Sequence, residues 1–237
     1  MSDRSRLGFS LLEMTLVLLV LSVLLTGLLT PLVSARESHR HASQRVQWQH
    51  VEQALVGHLL ARGRLPCAAT ADSGGHEVAS ATGCGAYAGF VPVATLGVNG
   101  TVDRHGRLLD AWHRPVRYRL SASDSDGDGR ADYAVTDGMV LQTPRLVRAD
   151  NRIVHAVDAD CGSTAARADG IVVVLVSEGS GTARSAAERE NLDGDSRFVS
   201  RAVSEVAACA FDDPVHWLTE NRVLTLLLTA GVLPRSD

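Results

Sequence analysis

Residues 8–33 read GFSLLEMTLVLLVLSVLLTGLLTPLV, an apolar run in which Glu13 is the one charged residue. From Met14 to Val33 no side chain is charged, and these twenty residues would form a helix about 30 Å long, the thickness of a bilayer core. A carboxylate at the edge of such a run is costly in lipid unless a cation lies beside it. The stretch therefore predicts a helix of membrane length in which Glu13 has a functional role and a specific cationic partner.

The residues before the run form a short basic leader. Arg4 and Arg6 are followed by Gly8 and Phe9, and Glu13 comes soon after them. This arrangement resembles the signal of type IV prepilins and of the related pseudopilins of type II secretion. The resemblance implies that a prepilin peptidase cuts after Gly8 and that the new amino terminus, on Phe9, is methylated. It also implies that Glu13 pairs with the Phe9 amine of a neighbouring subunit when a filament assembles.

Two other interpretations of this N terminus remain open. An ordinary secretory signal would be cut after its apolar core, where Ser34 and Ala35 offer small residues. An uncut signal anchor would keep the whole run. Neither alternative explains why Gly8, Phe9 and Glu13 stand where they do. Arginines occur on both sides of the run, so counting positive charges does not fix its orientation.

The apolar pattern continues beyond the run and predicts an unusually long helix. Val51, Leu55 and Leu59 recur at helical spacing, so the helix continues as an amphipathic element that faces a globular domain. Gly63 and Pro66 then end it. The predicted organisation is a leader at 1–8, a transmembrane or filament-core helix at 9–33, its amphipathic continuation at 34–63 and a periplasmic globular head at 64–237.

After Gly63 the sequence changes to glycine-rich loops and short apolar strings. Residues 171–176 are apolar on both faces, which predicts a central strand covered on one side by the long helix. A last helix is expected from Asp213, as its cap, to Leu228. This order indicates an α+β fold, with the long helix packed on a predominantly antiparallel sheet and a helix at the C terminus. Strands are predicted at residues 116–120, 133–136, 153–157, 171–177 and 197–203.

Cys67, Cys84, Cys161 and Cys209 form an even set of cysteines without a Cys-x-x-Cys pair. Such a set favours disulfides in an oxidising compartment over a zinc site. Four cysteines allow three pairings, and we favour Cys67 with Cys84 and Cys161 with Cys209 because each pair shares a segment. Four unpaired thiols are the alternative.

An aspartate-rich loop, DSDGDGRAD, lies at residues 124–132. So many carboxylates close together are unfavourable unless a divalent cation neutralises them. The spacing follows the first nine positions of a calcium loop, although Val135 stands where an EF-hand requires glutamate. A solvated hairpin turn is the alternative. The predicted Ca²⁺ ligands are Asp124, Asp126, Asp128, Asp132 and the backbone carbonyl of Arg130.

One segment of the head also resembles pseudopilins. Residues 110–118, DAWHRPVRY, are similar to the Asp-x-Trp-Gly-x-Pro-x-x-Tyr segment of type II secretion pseudopilins, with His113 where glycine is usual. Glycine adopts a positive φ freely and histidine does so less readily, so the substitution puts the geometry of this turn in question. Trp112 and Tyr118 are expected to be core residues.

Composition and motifs exclude several classes of function. The chain has 23 basic and 27 acidic side chains, a nearly neutral balance that gives no electrostatic footprint for nucleic acid. The sequence has no nucleophile elbow, phosphate loop or zinc-protease motif, so we expect no enzyme. An anchored periplasmic hydrolase is the alternative, and turnover of a generic ester or peptide would revive it.

We therefore expect a structural subunit, a minor pilin or minor pseudopilin, of a type IV pilus or a type II secretion filament. The resemblance implies an inner-membrane, single-pass protein with a periplasmic C-terminal domain, later incorporated into a pilus or pseudopilus. Its implied partners are other pilin or pseudopilin subunits, the prepilin peptidase, the inner-membrane assembly platform and the inner membrane itself. The alternative is a membrane-anchored periplasmic calcium-binding adhesin or binding protein whose anchor stays uncut.

Overall fold

The computed structural model divides the chain into two compact units, Met1–Ser43 and Gln44–Asp237. Gly8, Phe9 and Cys161 lie outside the residues that it describes, so the predicted Cys161–Cys209 disulfide stays a prediction. Side chains at 24–34, 140–142, 145–146, 166–167 and 235–236 are not described. The described residues are 10–136, 138–142, 145–146, 149–154, 166–181, 185–206, 209–231 and 235–236.

The first helix, α1, spans Leu11–Arg62. In the first unit every side chain from Leu11 to Val23 is exposed. In the second unit the helix has a buried stripe at the predicted apolar positions, where Val51, Leu55 and Leu59 are all but inaccessible to solvent. The helix ends because Gly63 adopts a φ of 66° while its amide donates to the Leu59 carbonyl at 2.8 Å, which satisfies one of the last helical carbonyls.

The head is an α+β arrangement around one main sheet, as predicted. The elements after α1 are, in chain order, β1 (Ala79–Ser80), β2 (Gly83–Cys84), β3 (Ala88–Phe90), α2 (Val93–Leu96), β4 (Arg117–Leu120), β5 (Val140–Gln142), β6 (Arg145–Leu146), β7 (Asn151–Val154), β8 (Ala166–Val176), α3 (Ala186–Glu190), β9 (Arg197–Val199), β10 (Val215–Thr219), α4 (Glu220–Thr229) and β11 (Arg235–Ser236).

The main sheet has the strand order β3-β4-β8-β7-β9, and β10 also pairs with β8. Its strand pairs are antiparallel except for β7 with β9, which confirms the mostly antiparallel sheet. Two smaller sheets are formed by β1 with β2 and by β5 with β6 and β11.

Strand β8 organises the core because it pairs with β4, β7 and β10. Its residues 171–176 are at most 1% exposed, as expected for a strand covered on both faces. On one face Leu175 belongs to a cluster with Val51 of α1. On the other face Val174 belongs to a second cluster with Phe198 of β9. The sheet therefore separates two apolar layers, and the second half of α1 supplies one of them.

The C-terminal segment differs from the prediction. We expected a helix from Asp213, but the chain forms β10 first and α4 begins only at Glu220. The side chain of Thr219, and not that of Asp213, caps this helix by accepting a hydrogen bond from the Arg222 amide at 3.2 Å. The prediction was wrong because β10 contains β-branched and aromatic residues that are stabilised by pairing with the central strand.

Residues 133–136 are a turn and not the predicted strand, and the Ala134 amide donates to the Ala131 carbonyl at 3.0 Å. Tyr133 is fully buried in this turn, so the apolar pattern at 133–136 comes from a loop that packs into the core and not from a strand. Strand β9 ends at Val199, four residues earlier than predicted.

The predicted inner-membrane, single-pass localisation with a periplasmic C-terminal domain is wrong. Among the residues that the structure describes, no helix is long and apolar enough to cross a membrane. From residue 35 onward the helix carries Arg36, Glu37 and Arg40, which a bilayer core disfavours.

Candidate functional site

Glu13 lies in the first turn of α1, where a carboxylate interacts favourably with the unpaired amides of a helix N terminus. Its side chain is exposed, and its apolar neighbours Leu12 and Met14 are 75% and 53% exposed. The predicted cleavage site at Gly8 and the Phe9 amine lie outside the described residues. The structure thus places the carboxylate within an uncovered apolar surface and leaves its cationic partner as a prediction.

The aspartate-rich loop brings together three of its five predicted ligands. Carboxylate oxygens of Asp124, Asp126 and Asp128 lie within 4.8 Å of one another, and all three residues are exposed. Asp124 accepts hydrogen bonds from the amides of Gly127 and Gly129 at 2.8 and 2.9 Å, which curl the loop around it. A set of exposed carboxylate oxygens fits a hard cation such as Ca²⁺.

The other two predicted ligands are placed differently. Asp132 is 3% exposed, and its carboxylate accepts hydrogen bonds from the Ser125 amide and, at 2.9 Å, from the Ser125 hydroxyl. Burial raises the pKa of Asp132, although the hydrogen bonds from Ser125 oppose this effect. Arg130 is exposed and donates its amide to Asp128 at 2.8 Å. The buried Asp132 carboxylate therefore links the end of the loop to Ser125 near its start. The exposed carboxylate oxygens belong to Asp124, Asp126 and Asp128.

The predicted disulfide between Cys67 and Cys84 is present, with an S–S distance of 2.05 Å and a Cα–Cα distance of 5.4 Å. Beside it, the Glu77 carboxylate accepts hydrogen bonds from the Cys67 amide at 3.0 Å and from the Arg64 guanidinium at 2.8 Å. Burial by itself would raise the pKa of Glu77, but these hydrogen bonds hold it below its ordinary value. The disulfide and the ion pair together fix the segment that follows α1.

The turn in which histidine replaces the usual glycine keeps a glycine-like geometry. His113 has a φ of 63°, the one positive value at a residue other than glycine in the described ranges. The Asp110 carboxylate accepts hydrogen bonds from the amides of Trp112 and Arg114, both at 2.8 Å, and from the Ser177 hydroxyl at 2.6 Å. These bonds satisfy a buried carboxylate and hold the turn in a conformation that costs histidine more than glycine.

A further acidic cluster was missed by the sequence predictions. It consists of Glu188 on α3 together with Asp212 and Asp213, which lie just before Pro214 and β10. One carboxylate oxygen of each residue lies within 4.8 Å of the others. Glu188 and Asp213 are only 4% and 6% exposed and Asp212 is partly buried, and we call these three residues the buried acidic cluster.

The hydrogen-bond donors around the buried acidic cluster are neutral. Asp212 Oδ2 accepts hydrogen bonds from the amides of Ser180 and Gly181 at 2.8 and 2.6 Å, and Asp213 Oδ2 accepts one from the Asn191 amide group at 3.1 Å. Burial raises the pKa of Asp213 to about 7; the Asn191 hydrogen bond opposes this shift and the neighbouring carboxylates add to it. The cluster is therefore an electrostatically costly arrangement of buried acids.

The cluster escaped prediction because its members are distant in the chain. Glu188 and Asp212 are separated by 24 residues, and only folding brings α3 beside the start of β10. The one local signal is the Asp212-Asp213 pair, which before a proline predicts a helix cap. Glu190, Asp193 and Asp195 also approach one another, but at a more open turn, where Asp193 and Asp195 are exposed.

The face of the main sheet away from α1 has a cleft of about 170 Å³. Its lining includes the apolar side chains of Val174, Val176 and Phe198 and the guanidinium-bearing side chain of Arg117. Ligand pockets usually have about 300–1,000 Å³, so this cleft has room for one side chain and not for a typical cofactor.

No protein-family model, curated protein or solved structure matches the chain.

Proposed function

We propose that the chain is a structural subunit of a type IV pilin-like filament, a minor pilin or a minor pseudopilin, and not an enzyme. A prepilin peptidase cleaves it after Gly8 and the new N terminus on Phe9 is methylated. The start of α1 then packs against the corresponding helices of other pilin or pseudopilin subunits, and the head is presented on the outside of the assembly.

The exposed apolar surface at the start of α1 carries this proposal. Leu11, Leu16 and Leu19 are 84%, 61% and 64% exposed, and every other side chain from Leu11 to Val23 is exposed too. A helix that is apolar around its whole circumference is normally buried, and large exposed apolar patches mark interaction surfaces. In a filament, the apolar start of α1 on each neighbouring subunit would cover this surface.

In the proposed assembly, Glu13 fixes the register between the α1 helices of neighbouring subunits. A carboxylate enclosed by apolar helices is costly unless a cation compensates it, and breaking a buried ion pair by removing one partner costs about 3–5 kcal/mol. The free amine of Phe9 on the next subunit is such a cation. Because the amine exists only after cleavage at Gly8, processing and assembly are coupled.

Intact-mass measurement of the protein isolated from its cells tests the processing step. The expected mass lacks residues 1–8 and carries one additional methyl group. An uncut chain would refute the proposal and would favour the alternative, a calcium-binding adhesin or binding protein that keeps its leader.

Substitution of Glu13 tests the assembly step. Glu13→Ala should leave cleavage unchanged but reduce incorporation into filaments at least tenfold, as measured by immunoblot of sheared filaments. Glu37→Ala is the matched control, because Glu37 is an acidic residue of the same helix whose partner, Arg40, lies within its own chain at 3.3 Å. Normal incorporation of the Glu13 variant would contradict the pairing.

The two filament types differ in the components that accompany them. Crosslinking in cells, followed by isolation of the chain, should recover either pilus subunits or secretion pseudopilins with their respective assembly platform. Recovery of neither set would leave the exposed apolar surface without its proposed partner and would count against a filament.

We also propose that the aspartate-rich loop binds Ca²⁺ weakly. The convergence of the Asp124, Asp126 and Asp128 oxygens within 4.8 Å supports this, and their exposure argues for an affinity in the range of extracellular modules, about 10⁻⁴–10⁻³ M. Calcium at ten times such a dissociation constant should stabilise the fold by about 1.4 kcal/mol, measured as a rise in Tm. The rise should disappear in an Asp126→Asn variant if the loop is the site.

A further inference from the structure

The two cysteines of the Cys67–Cys84 disulfide differ in their access to solvent. Cys67 is 0% exposed, and its Sγ atom lies 3.5 Å from the Gly83 carbonyl oxygen. Cys84 is only partly buried, and it follows the exposed residues 79–82 in the hairpin formed by β1 and β2. Because thiol–disulfide exchange depends on which sulfur the attacking thiol can reach, a thiol in solution would attack Cys84 and not Cys67.

The hairpin that carries Cys84 covers a second segment of the head, residues 131–136, which we call the bridging segment. The Ala131 amide donates to the Thr82 carbonyl at 3.4 Å. A Cβ atom at Gly83 would lie 3.5 Å from the Cβ atoms of both Ala131 and Ala134, so the two backbones are in close contact. Ala131 and Ala134 are 5% and 3% exposed. The hairpin is therefore the outer cover of this part of the bridging segment.

On its other side the bridging segment holds the end of α1. The Leu65 amide donates to the Tyr133 carbonyl at 2.9 Å, and the Thr136 hydroxyl donates to the Arg62 carbonyl at 3.4 Å. Tyr133 itself is fully buried. The bridging segment thus lies between the disulfide-linked hairpin and the residues that end the long helix.

The position of the hairpin depends strongly on the disulfide. Strands β1 and β2 pair only with each other, through two residue pairs, and a two-stranded hairpin is marginally stable by itself. Its base is held next to Cys67, where the Val78 amide donates to the Ala68 carbonyl at 3.1 Å and the Ala68 amide donates to the Ala86 carbonyl at 3.0 Å. Loss of the disulfide would therefore free residues 79–84 and leave the base paired.

We propose that the Cys67–Cys84 disulfide is a redox switch that controls how firmly this hairpin covers the bridging segment. The reductant is a dithiol. One of its thiolates attacks Cys84 Sγ and displaces Cys67 as a thiolate, which gives a mixed disulfide. The second thiol of the reductant then forms its own disulfide and releases Cys84. Two electrons pass to the protein, both cysteines take up a proton, and the dithiol is oxidised. Oxidation by a disulfide donor reverses these steps.

The two states differ in the support of the bridging segment. In the oxidised chain, the Thr82 carbonyl accepts from Ala131 and the hairpin shields residues 131–134 from water. In the reduced chain, the hairpin moves away and the segment that holds the end of α1 loses its outer cover. Neither filament assembly nor calcium binding enters this inference, so its failure leaves those proposals untouched.

Hydrogen exchange of the full chain in detergent, read by mass spectrometry, tests the switch. A variant with Cys67→Ser and Cys84→Ser should exchange the amides of residues 79–84 and 131–134 about tenfold faster than the natural chain, while strand residues 171–176 stay equally protected. The matched control carries Cys161→Ser and Cys209→Ser and should keep residues 131–134 protected. If the first variant fails to fold, as judged by circular dichroism, dithiothreitol added to the folded control chain gives the decision, because only Cys67–Cys84 can then be reduced.

Three outcomes would overturn the switch. Unchanged exchange at 131–134 in the folded variant would show that the core holds this segment without the hairpin. Equal acceleration at 171–176 would show that the disulfide stabilises the whole head and switches nothing locally. Resistance of the folded control chain to dithiothreitol would show that no thiol reaches the bond. Brief treatment with glutathione checks the order of attack, since peptide mapping should find the mixed disulfide on Cys84, and an adduct on Cys67 would contradict the proposed route.

Discussion

The exposed aspartate-rich loop and the buried acidic cluster contain the same chemical groups in opposite surroundings. Asp124, Asp126 and Asp128 are exposed to water and share backbone amides of their own loop. Glu188 and Asp213 are more than nine-tenths buried, and each also accepts a hydrogen bond from another segment. Water compensates the charges of the first group, whereas only the fold or a bound ion can compensate those of the second. Acidic residues at the two places should therefore respond very differently to substitution, pH and calcium.

Substitution should separate the two regions most clearly. Asp212→Ala removes the acceptor of three hydrogen bonds from Ser180 and Gly181 and should lower the free energy of unfolding by about 2–3 kcal/mol. Asp126→Ala, in the exposed loop, should change it by less than about 0.5 kcal/mol. Urea unfolding at pH 5.5 in EDTA measures both changes in the free energy of unfolding. At this pH Asp213 is largely protonated, so the loss of repulsion between Asp212 and Asp213 adds little to the effect of Asp212→Ala. Equal losses would mean that burial does not distinguish the two regions.

The pH dependence of stability should sharpen the same contrast. Burial, reinforced by the charges of Glu188, Asp212 and Glu178, raises the pKa of Asp213 from 3.8 to about 7. The folded state therefore holds a proton that the unfolded state releases, so the stabilisation is fully present below pH 4 and is lost as the pH rises through 7. In EDTA the free energy of unfolding should fall by about 3 kcal/mol between pH 4.5 and 7.5.

Asp213→Asn provides the control for this pH effect. Asparagine has the same shape and does not titrate, so the variant should lose most of the difference between pH 4.5 and 7.5. Asp126→Asn in the exposed loop should keep it. If the Asp213 variant retained the full pH dependence, other groups would be responsible, and the account of the buried cluster would be contradicted.

The contrast also explains which parts of the molecule the sequence could reveal. The aspartate-rich loop and the end of α1 at Gly63 depend on neighbours in the chain, and local spacing predicted both. The central strand at 171–176 was predictable because a strand buried on both faces must be apolar throughout. These features have signals within a few residues of one another.

The features that were missed depend on distant partners. β10 appeared helical because Pro214 follows two aspartates, but pairing with β8 decides its conformation. The buried acidic cluster assembles residues that no local pattern connects, 24 positions apart. The prediction of a membrane-spanning helix relied on the length of an apolar run in the sequence. Among the described residues, no helix is long and apolar enough to cross a membrane.

Asp110 refines the comparison, because it is as buried as Asp213 but is satisfied by backbone amides and the Ser177 hydroxyl. Its turn has a different weakness, the positive φ of His113. A side chain in the left-handed region has a steric conflict that costs about 1–2 kcal/mol, and His113→Gly removes it. Glycine also makes the unfolded chain more flexible, which lowers the free energy of unfolding and offsets part of this gain. The net gain in the free energy of unfolding should be about 0.5–1 kcal/mol, seen as a small rise in Tm. His113→Ala is the matched control and should not stabilise, since alanine keeps the Cβ atom; equal stabilisation by both variants would show that the imidazole, and not the backbone, limits this turn.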